Sequence, residues 1–287
     1  MNVTLPESSK INKKYIIIYG SIILFCVIAL IVASYVQFYA RIDIAETIGI
    51  KEKQEYGFKS ETEIQKLKTN FDSMFNNKIE NDTGNNNNKK VYKDKELVCT
   101  KYEKKEKIEN NYDMNINIPY INIKNSVVEK YNDEIEETFA DKARSVLESK
   151  NKNIIYTVEY TANIDQDIVS LIIKSTLKEG SNAQRVIIKT YNYDLRNNKE
   201  ISLQEILRIE QLEKQRVQDT INNTIKEEQN KVESLEKLGY NIYKRDLTNT
   251  IYKVENTNEF YYLGDTIYII YPYGNDSNTS EMDLVII

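Results

Sequence analysis

The longest apolar stretch of the chain is residues 15–39, which contain no charged side chain. A helix rises about 1.5 Å per residue, so this stretch can cross a hydrocarbon core about 30 Å thick. A cleaved signal peptide, the alternative, would have an apolar core of only about 7 to 15 residues. Three lysines precede the stretch, and this positive-inside bias predicts a cytoplasmic N-terminus. We therefore expect a single-pass cell-membrane protein with a cytoplasmic tail at 1–14, a transmembrane helix at 15–39 and an extracellular C-terminal part.

Residues 40–80 predict a juxtamembrane segment that contains one amphipathic helix. Ser60 and Glu63 have the spacing of a capping box, which starts helices. Apolar residues then recur at helical spacing, at Ile64, Leu67, Phe71, Met74 and Phe75. The polar face is mixed in sign rather than basic, so the apolar face is expected to pack on the following domain or on a sister helix instead of on lipid. Residues 81–90 are polar and of low complexity, and they predict a flexible linker and a domain boundary.

Residues 91–287 have the pattern of a single domain. The alternating, charged sequence at 91–107 is typical of strands, and the next extended segment is expected to end at Pro119, which cannot donate to a ladder. A long core-facing helix is predicted by apolar residues every three or four positions, at Val127, Tyr131, Ile135, Phe139, Ala143 and Val146. Three strands are then expected, and their short connections favour antiparallel neighbours, at 154–160, 168–177 and 186–195.

The last third of the chain mixes helix and strand patterns. Ser202 and Glu205 form a second capping box, and the helical region that follows is expected to reach about residue 238 and to stop at Gly239. A hairpin is predicted at 259–263 and 266–271, and a last strand at 284–287. Together these elements predict an α+β fold in which an antiparallel sheet is backed by helices.

The composition excludes several classes of activity. The chain has no histidine, which removes Ser-His-Asp and Cys-His nucleophile pairs and every histidine-containing metal site. Its 8 glycines form no phosphate-binding loop, and its net charge of -5 disfavours nucleic acid. Only one of the two cysteines, Cys99, lies in the predicted outer part, so no internal disulfide can form there, which fits the outer surface of a Gram-positive cell. We expect no enzymatic activity, cofactor, metal or nucleic-acid partner.

Two groups of residues could carry chemistry, but each has a simpler explanation. Carboxylate pairs such as Asp165/Asp167 or Glu136/Glu137 could serve acid–base chemistry on glycosides, yet such pairs arise by chance among 44 acidic residues. Residues 275–278 are rich in oxygen ligands but lack the spacing of an EF-hand calcium loop. An ordinary polar turn is expected there.

Several short segments occur in an order that points to a family. They are NIPYI at 117–121, YNDEI at 131–135, YTVEY at 156–160, VSL at 169–171, YNYDL at 191–195 and ISLQEIL at 201–207, followed by the hairpin segments 260–263 and 267–271. This order resembles the extracytoplasmic region of the RsiV-type anti-sigma factors, the lysozyme-sensing regulators of Gram-positive bacteria. It also resembles the modules that precede the catalytic domain of the PdaC-type peptidoglycan deacetylases. The resemblance covers residues 91–287 and implies an RsiV/PdaC-like α+β domain, while the tail at 1–14 is too short for a sigma-binding segment.

The resemblance implies a binding module. In the family, loops at one end of the domain contribute to gripping lysozyme, although here residues 179–185 replace the usual glycine-rich connection. The candidate contact residues in these loops are Glu179, Ser181, Asn182, Gln184, Tyr271 and Tyr273. We expect a membrane-anchored module that recognises a cell-wall glycan or a lysozyme-like protein. The alternative is a ligand-sensing, anti-sigma-like regulator that acts through a partner membrane protein or regulated proteolysis.

Overall fold

The computed structural model describes residues 13–39, 58–75 and 96–287, which fall into two compact units divided between Glu55 and Tyr56. In the first unit, helix α1 (Lys13–Tyr39) covers the predicted apolar segment. Over the described ranges, no helix meets the combined requirement of length and apolarity for a membrane span. The membrane anchor stays a prediction from the sequence. The predicted linker at 81–90 and most of the predicted tail at 1–14 lie outside the described residues.

The predicted amphipathic helix is present as α2 (Glu61–Asn70) and belongs to the second unit. Its capping box is confirmed, because the Ser60 amide donates to Glu63 Oε2 at 2.9 Å and the Glu63 amide donates to Ser60 Oγ at 3.4 Å. A short 3-10 turn, Asp72–Phe75, follows it. Phe71 and Phe75 are buried among side chains of both sheets. The apolar face of α2 therefore packs on the domain, which is the first of the two arrangements expected from the sequence.

A six-stranded sheet is the larger of two sheets in this unit. Its strands lie in sequence order, β1 (Val98–Ile108), β2 (Tyr112–Ile121), β3 (Ile154–Asp165), β4 (Ile168–Glu179), β5 (Arg185–Asp194) and β6 (Lys199–Glu200). The predicted antiparallel pairing of β3, β4 and β5 is confirmed. Strands β2 and β3 are parallel, however, and the expectation of a purely antiparallel sheet is wrong at this point. A helical crossover joins them, which is the connection that parallel neighbours require.

The prediction that Pro119 ends its strand is wrong, since β2 continues to Ile121. Pro119 lies opposite Thr100, next to a shift in register between Thr100 and Tyr102. The missing amide hydrogen of proline is tolerated at such an irregularity in the ladder.

The helix between β2 and β3 is interrupted by a turn of π-helix. It consists of α3 (Ser126–Ile135), the π turn Glu136–Ala140 and α4 (Asp141–Glu148). The hydroxyl of buried Tyr156 donates to the carbonyl oxygen of Phe139 at 3.0 Å. A wider turn leaves a carbonyl without its usual helical partner, and here the hydroxyl of a core tyrosine supplies the hydrogen bond. The predicted core stripe is confirmed at its buried members, Ile135, Phe139, Ala143 and Val146.

The second sheet has three antiparallel strands, β7 (Phe260–Leu263), β8 (Thr266–Pro272) and β9 (Met282–Ile286). The predicted hairpin between β7 and β8 is confirmed, and Gly264 has the positive φ of 61° that its turn requires. The predicted helical region before it is confirmed and consists of two helices, α5 (Leu203–Ile209) and α6 (Lys214–Glu236). The Ser202 capping box and the stop at Gly239, with φ 90°, are confirmed.

The described part of the second unit is layered as helices, sheet, sheet and helices. Helices α3 and α4 cover one face of the large sheet, and the other face packs at β4 and β5 against the small sheet. The opposite face of the small sheet packs against α5 and α6. The α+β class is confirmed, but the predicted single antiparallel sheet is replaced by two sheets.

The free edge of β5 is closed by the C-terminal segment of the chain. The amide of Val186 donates to Thr279 O at 3.1 Å, and the amide of Ile188 donates to Asn275 Oδ1 at 3.0 Å. The amide of Thr190 donates to Glu259 Oε2 at 2.7 Å. These bonds satisfy backbone donors that an open edge strand would offer to other chains.

Glu259 has a side chain that is only 11% exposed, with Lys189 Nζ 3.7 Å away. Burial raises the pKa of Glu259 to about 7, against the opposing effects of Lys189 and of the bonds from Thr190. A carboxyl whose pKa is higher in the folded chain than in the unfolded chain favours folding when protonated. This contribution is present below the unfolded pKa and is lost as the pH rises to about 7.

We therefore expect Glu259→Gln, which keeps an acceptor for Thr190, to gain stability relative to the wild type as the pH rises from 5 to 8. The expected gain is up to about 3 kcal/mol, because each unit of pKa shift is worth about 1.4 kcal/mol. Urea unfolding of both proteins at several pH values measures it. A difference between the two proteins that stays constant with pH would contradict the expected titration of Glu259.

Candidate functional site

Two of the six candidate contact residues are core residues. Tyr271 is 5% exposed and Tyr273 is 4% exposed, and both belong to the cluster between the small sheet and helices α5 and α6. The rings of Tyr271 and Tyr252 meet edge to face with centroids 5.0 Å apart. The prediction that Tyr271 and Tyr273 offer an exposed contact surface is therefore wrong.

Tyr273 is fixed by a buried hydrogen-bond network. Its hydroxyl donates to Asp283 Oδ2 at 2.5 Å and lies 2.9 Å from the hydroxyl of Tyr252. Arg245 holds the same carboxylate from the other side, with Nε 3.0 Å from Oδ2 and Nη2 2.8 Å from Oδ1. Burial and the Asp283 carboxylate both raise the pKa of Tyr273, so its hydroxyl stays protonated and continues to donate. Burial lowers the pKa of Arg245, but the hydrogen bonds and charge of Asp283 outweigh it and raise that pKa above its ordinary value.

The other four candidates lie at the turn between β4 and β5. Ser181, Asn182 and Gln184 are exposed, as predicted for a contact loop. Glu179 is half-buried, and Lys142 Nζ on α4 lies 3.3 Å from its Oε1. The turn is held at its base, where the amide of Gly180 donates to Asn153 O at 3.2 Å.

The structure brings this turn next to the loop that follows β8. Arg185 Nε donates to Gly274 O at 2.6 Å, and its Nη2 donates to Asn275 O at 3.0 Å. The backbone amide of Ile188 donates to Asn275 Oδ1 at 3.0 Å, and Asn275 Nδ2 donates to the carbonyl oxygen of Ile188 at 2.7 Å. Gly274 leaves no room for a side chain, because a Cβ there would lie 1.8 Å from Val186 O. The two loops are thus fixed to one another and to β5.

The exposed side chains of these two loops form a polar patch that we call the rim, consisting of Ser181, Asn182, Gln184, Asp276, Asn278 and Ser280. The last three were not among the sequence-predicted contacts. The oxygen-rich sequence at 275–278 was the available signal for Asp276 and Asn278, and in the structure it is a turn in which Asn275 accepts a hydrogen bond from the backbone of β5. Across the described ranges, no group of three or more Asp, Glu, Cys or His side chains is arranged to hold a metal ion.

No family model matches the chain, and no curated protein matches it in sequence. Among solved structures, the chain is similar to a member of the DUF3298 family from Bacteroides fragilis. The identity is 15%, the match covers 61% of this chain and 81% of that one, and the TM-score is 0.34. A DUF3298 family protein from Pseudomonas aeruginosa is 18% identical, with 38% of this chain and 54% of that one covered and a TM-score of 0.27.

The carboxylate pairs singled out in the sequence take part in separate contacts. Asp165 Oδ2 lies 3.5 Å from the hydroxyl of Tyr262, whereas Asp167 pairs with Arg196 at 2.8 Å. Glu136 pairs with Lys101 at 2.6 Å and with Arg144 at 2.7 Å. Each of these carboxylates ties one element of the fold to another.

A cavity of about 260 Å³ lies between α2, α6 and β9, and it is lined by Lys68, Phe71, Asp72, Glu228, Arg245, Met282, Asp283 and Leu284. The two most buried charged groups in its wall, Arg245 and Asp283, are paired with each other at 2.8 Å. Their charges are thus already compensated within the protein. The rim, in contrast, combines exposed polar groups with a fixed backbone.

Proposed function

We propose that this chain is a membrane-anchored binding module of a Gram-positive cell surface, and that its rim recognises a cell-wall glycan or a lysozyme-like protein. The observation that carries the proposal is the rim itself, in which exposed amide, hydroxyl and carboxylate groups are held on a fixed backbone. A pre-organised loop loses little conformational entropy on binding, which favours recognition. The sequence resemblance to the RsiV-type and PdaC-type modules supplies the class of ligand.

Charge supports a cationic protein as one of the two ligands. The chain carries 44 acidic and 39 basic side chains, and Asp276 adds a carboxylate to the rim. A net acidic surface accelerates association with a basic protein such as lysozyme, and salt screens this effect. Neutral glycan would instead be held by the rim amides and hydroxyls, with little dependence on salt.

The test measures binding of the full-length chain in detergent micelles to lysozyme and to soluble peptidoglycan fragments, at low and at physiological salt. For lysozyme, we expect Asp276→Lys to weaken binding about tenfold, since it reverses a charge at the contact. The matched control is Asp133→Lys, an identical change at an exposed position of α3 on the opposite face of the large sheet. It is expected to leave binding unchanged apart from the small effect of net charge.

For glycan, the informative variant is Asn182→Ala, which removes one amide from the rim and is expected to weaken binding about fivefold. Asn223→Ala on α6 is the matched control, since Asn223 is also exposed and lies outside the rim. The proposal is refuted if neither ligand binds, or if the rim variants and their controls lose affinity equally.

A further inference from the structure

The outer edge of β1 is open in the part of the chain that the structure describes. Strand β1 is the first strand of the large sheet, and β2 is its only strand partner there. The edge is 11 residues long and carries Ile108, which is 45% exposed. An edge of this length with an exposed apolar residue is a template for pairing with another strand.

The register of the sheet shows which backbone groups of β1 point outward. The amide of Ile154 in β3 donates to Asn111 O at 3.0 Å, so the odd-numbered residues of β2 turn their polar groups towards β3. The even-numbered residues of β2 therefore bond to β1, where they face even-numbered residues such as Lys104 and Glu106. The amides and carbonyls of Glu103, Lys105 and Lys107 consequently point away from the sheet.

The sequence of this edge is complementary to itself when two copies run antiparallel. With Lys105 opposite Lys105 of a second copy, Lys104 faces Glu106 and Glu103 faces Lys107. In the same register Tyr102 faces the exposed Ile108 and covers it. Cross-strand pairs of opposite charge and of an aromatic with a β-branched residue both stabilise antiparallel strands.

We propose that the partner of this edge is a second copy of the chain, paired through β1 around a two-fold axis between the two Lys105 residues. The outward backbone groups of Glu103 then bond those of Lys107 in the other copy, and those of Lys107 bond those of Glu103. The outward backbone groups of the two Lys105 residues bond each other. Two six-stranded sheets become one continuous sheet, with α3 and α4 of both copies on the same face. The inference is independent of the function proposed for the rim.

The charges select this register over its neighbours. Moving the axis to Glu106 places Glu106 against Glu106, Lys105 against Lys107 and Glu103 against Glu109, so every charged pair becomes repulsive. Moving the axis to Lys104 keeps one pair of opposite charge, Glu103 with Lys105, but it opposes Lys104 to itself and leaves Tyr102 against the carboxylate of Glu106. Of the three registers, the Lys105 axis gives the most pairs of opposite charge and opposes like charges only at Lys105 itself, where the two long side chains can extend into solvent.

Disulfide formation tests both the contact and its register. In full-length protein with Cys26 and Cys99 replaced by serine, Lys105→Cys is expected to form a disulfide-linked dimer under mild oxidation, because directly opposed Cα atoms lie about 5.5 Å apart. Glu103→Cys and Lys107→Cys are the matched controls. In the proposed register, the same residue in the two copies is about 13 Å apart, because the rise along a strand is about 3.3 Å per residue. Neither variant alone should therefore cross-link. Mixing the two proteins is expected to give the cross-linked heterodimer.

Charge exchange gives a second measurement that needs no cysteine. Glu103→Lys places two lysine pairs across the interface, and we expect it to raise the dimer dissociation constant in detergent micelles by about tenfold or more. Adding Lys107→Glu restores opposite charges and is expected to return the constant to within about threefold of the wild type. The proposal is overturned if Lys105→Cys stays monomeric while folded, if the single controls cross-link as readily, or if the exchanged protein dimerises no better than Glu103→Lys.

Discussion

Replacing Arg245 by methionine is expected to lower the free energy of unfolding by about 3 to 5 kcal/mol, because it leaves an unpaired carboxylate in the core. Asp283 is 3% exposed, and two of its hydrogen bonds come from Arg245. Methionine keeps most of the volume of the arginine stem, so the loss reports the missing charge and not a cavity. Chemical unfolding of the variant and the wild type measures the difference.

The matched control is Arg208→Met, since Arg208 is exposed in the last turn of α5. A change at such a position is expected to stay within about 0.5 kcal/mol. Adding Asp283→Leu to Arg245→Met removes the stranded charge, and we expect this double variant to recover part of the lost stability. A double variant less stable than Arg245→Met alone would show that the stranded carboxylate is not the cause.

Replacing Phe71 by alanine is expected to lower the free energy of unfolding by about 3 to 5 kcal/mol, since it deletes a fully buried aromatic side chain. Phe71 is 2% exposed, and its ring centroid lies 5.6 Å from that of Phe75 and 5.9 Å from that of Tyr268. Thermal or urea unfolding measures the loss, and limited proteolysis should show faster cleavage at α2.

This variant tests whether α2 is an integral part of the fold. Lys66→Ala, at an exposed position of the same helix, is the control and is expected to leave both stability and cleavage nearly unchanged. If Phe71→Ala is as stable as Lys66→Ala, α2 does not contribute to the core in solution.

Local patterns in the sequence were sufficient for the elements that depend on neighbours in the chain. Ser60 and Ser202 cap helices because each finds a glutamate three residues later, and both pairs are visible in the sequence. The hairpin at Gly264 follows in the same way from a residue that tolerates positive φ. These interactions involve residues at most a few positions apart.

The error at Tyr271 and Tyr273 had a signal that could have prevented it. Ile267, Ile269, Tyr271 and Tyr273 alternate along the chain, and all four lie in one buried cluster. Period-two alternation places these tyrosines on the same face as the isoleucines, so the sequence already favoured burial. Tyrosine is compatible with either environment, so the residue type alone does not decide between them.

Other features required information that no local pattern contains. Arg245 and Asp283 are 38 positions apart, and nothing near either residue indicates a buried pair. The small sheet packs on β4 and β5 through Ile172, Ile188 and Tyr268, which are separated by long stretches of sequence.

The parallel pairing of β2 and β3, in contrast, could have been predicted from the sequence, because a predicted helix between two strands favours a crossover between parallel strands.

The π turn at Glu136–Ala140 determines which residues of the following helix can reach the core. Successive residues of an α-helix are rotated by about 100° around its axis, so the extra residue of the π turn sets the rotational position of all of α4. Wound as regular α-helix, the same residues would turn Ala143 and Val146 away from the large sheet by about 100° and bring Lys142 towards it. The π turn therefore accommodates one residue more than an α-helical turn while the buried face of α4 stays on the sheet, and deleting one residue there would restore a regular α-helix with the same buried face.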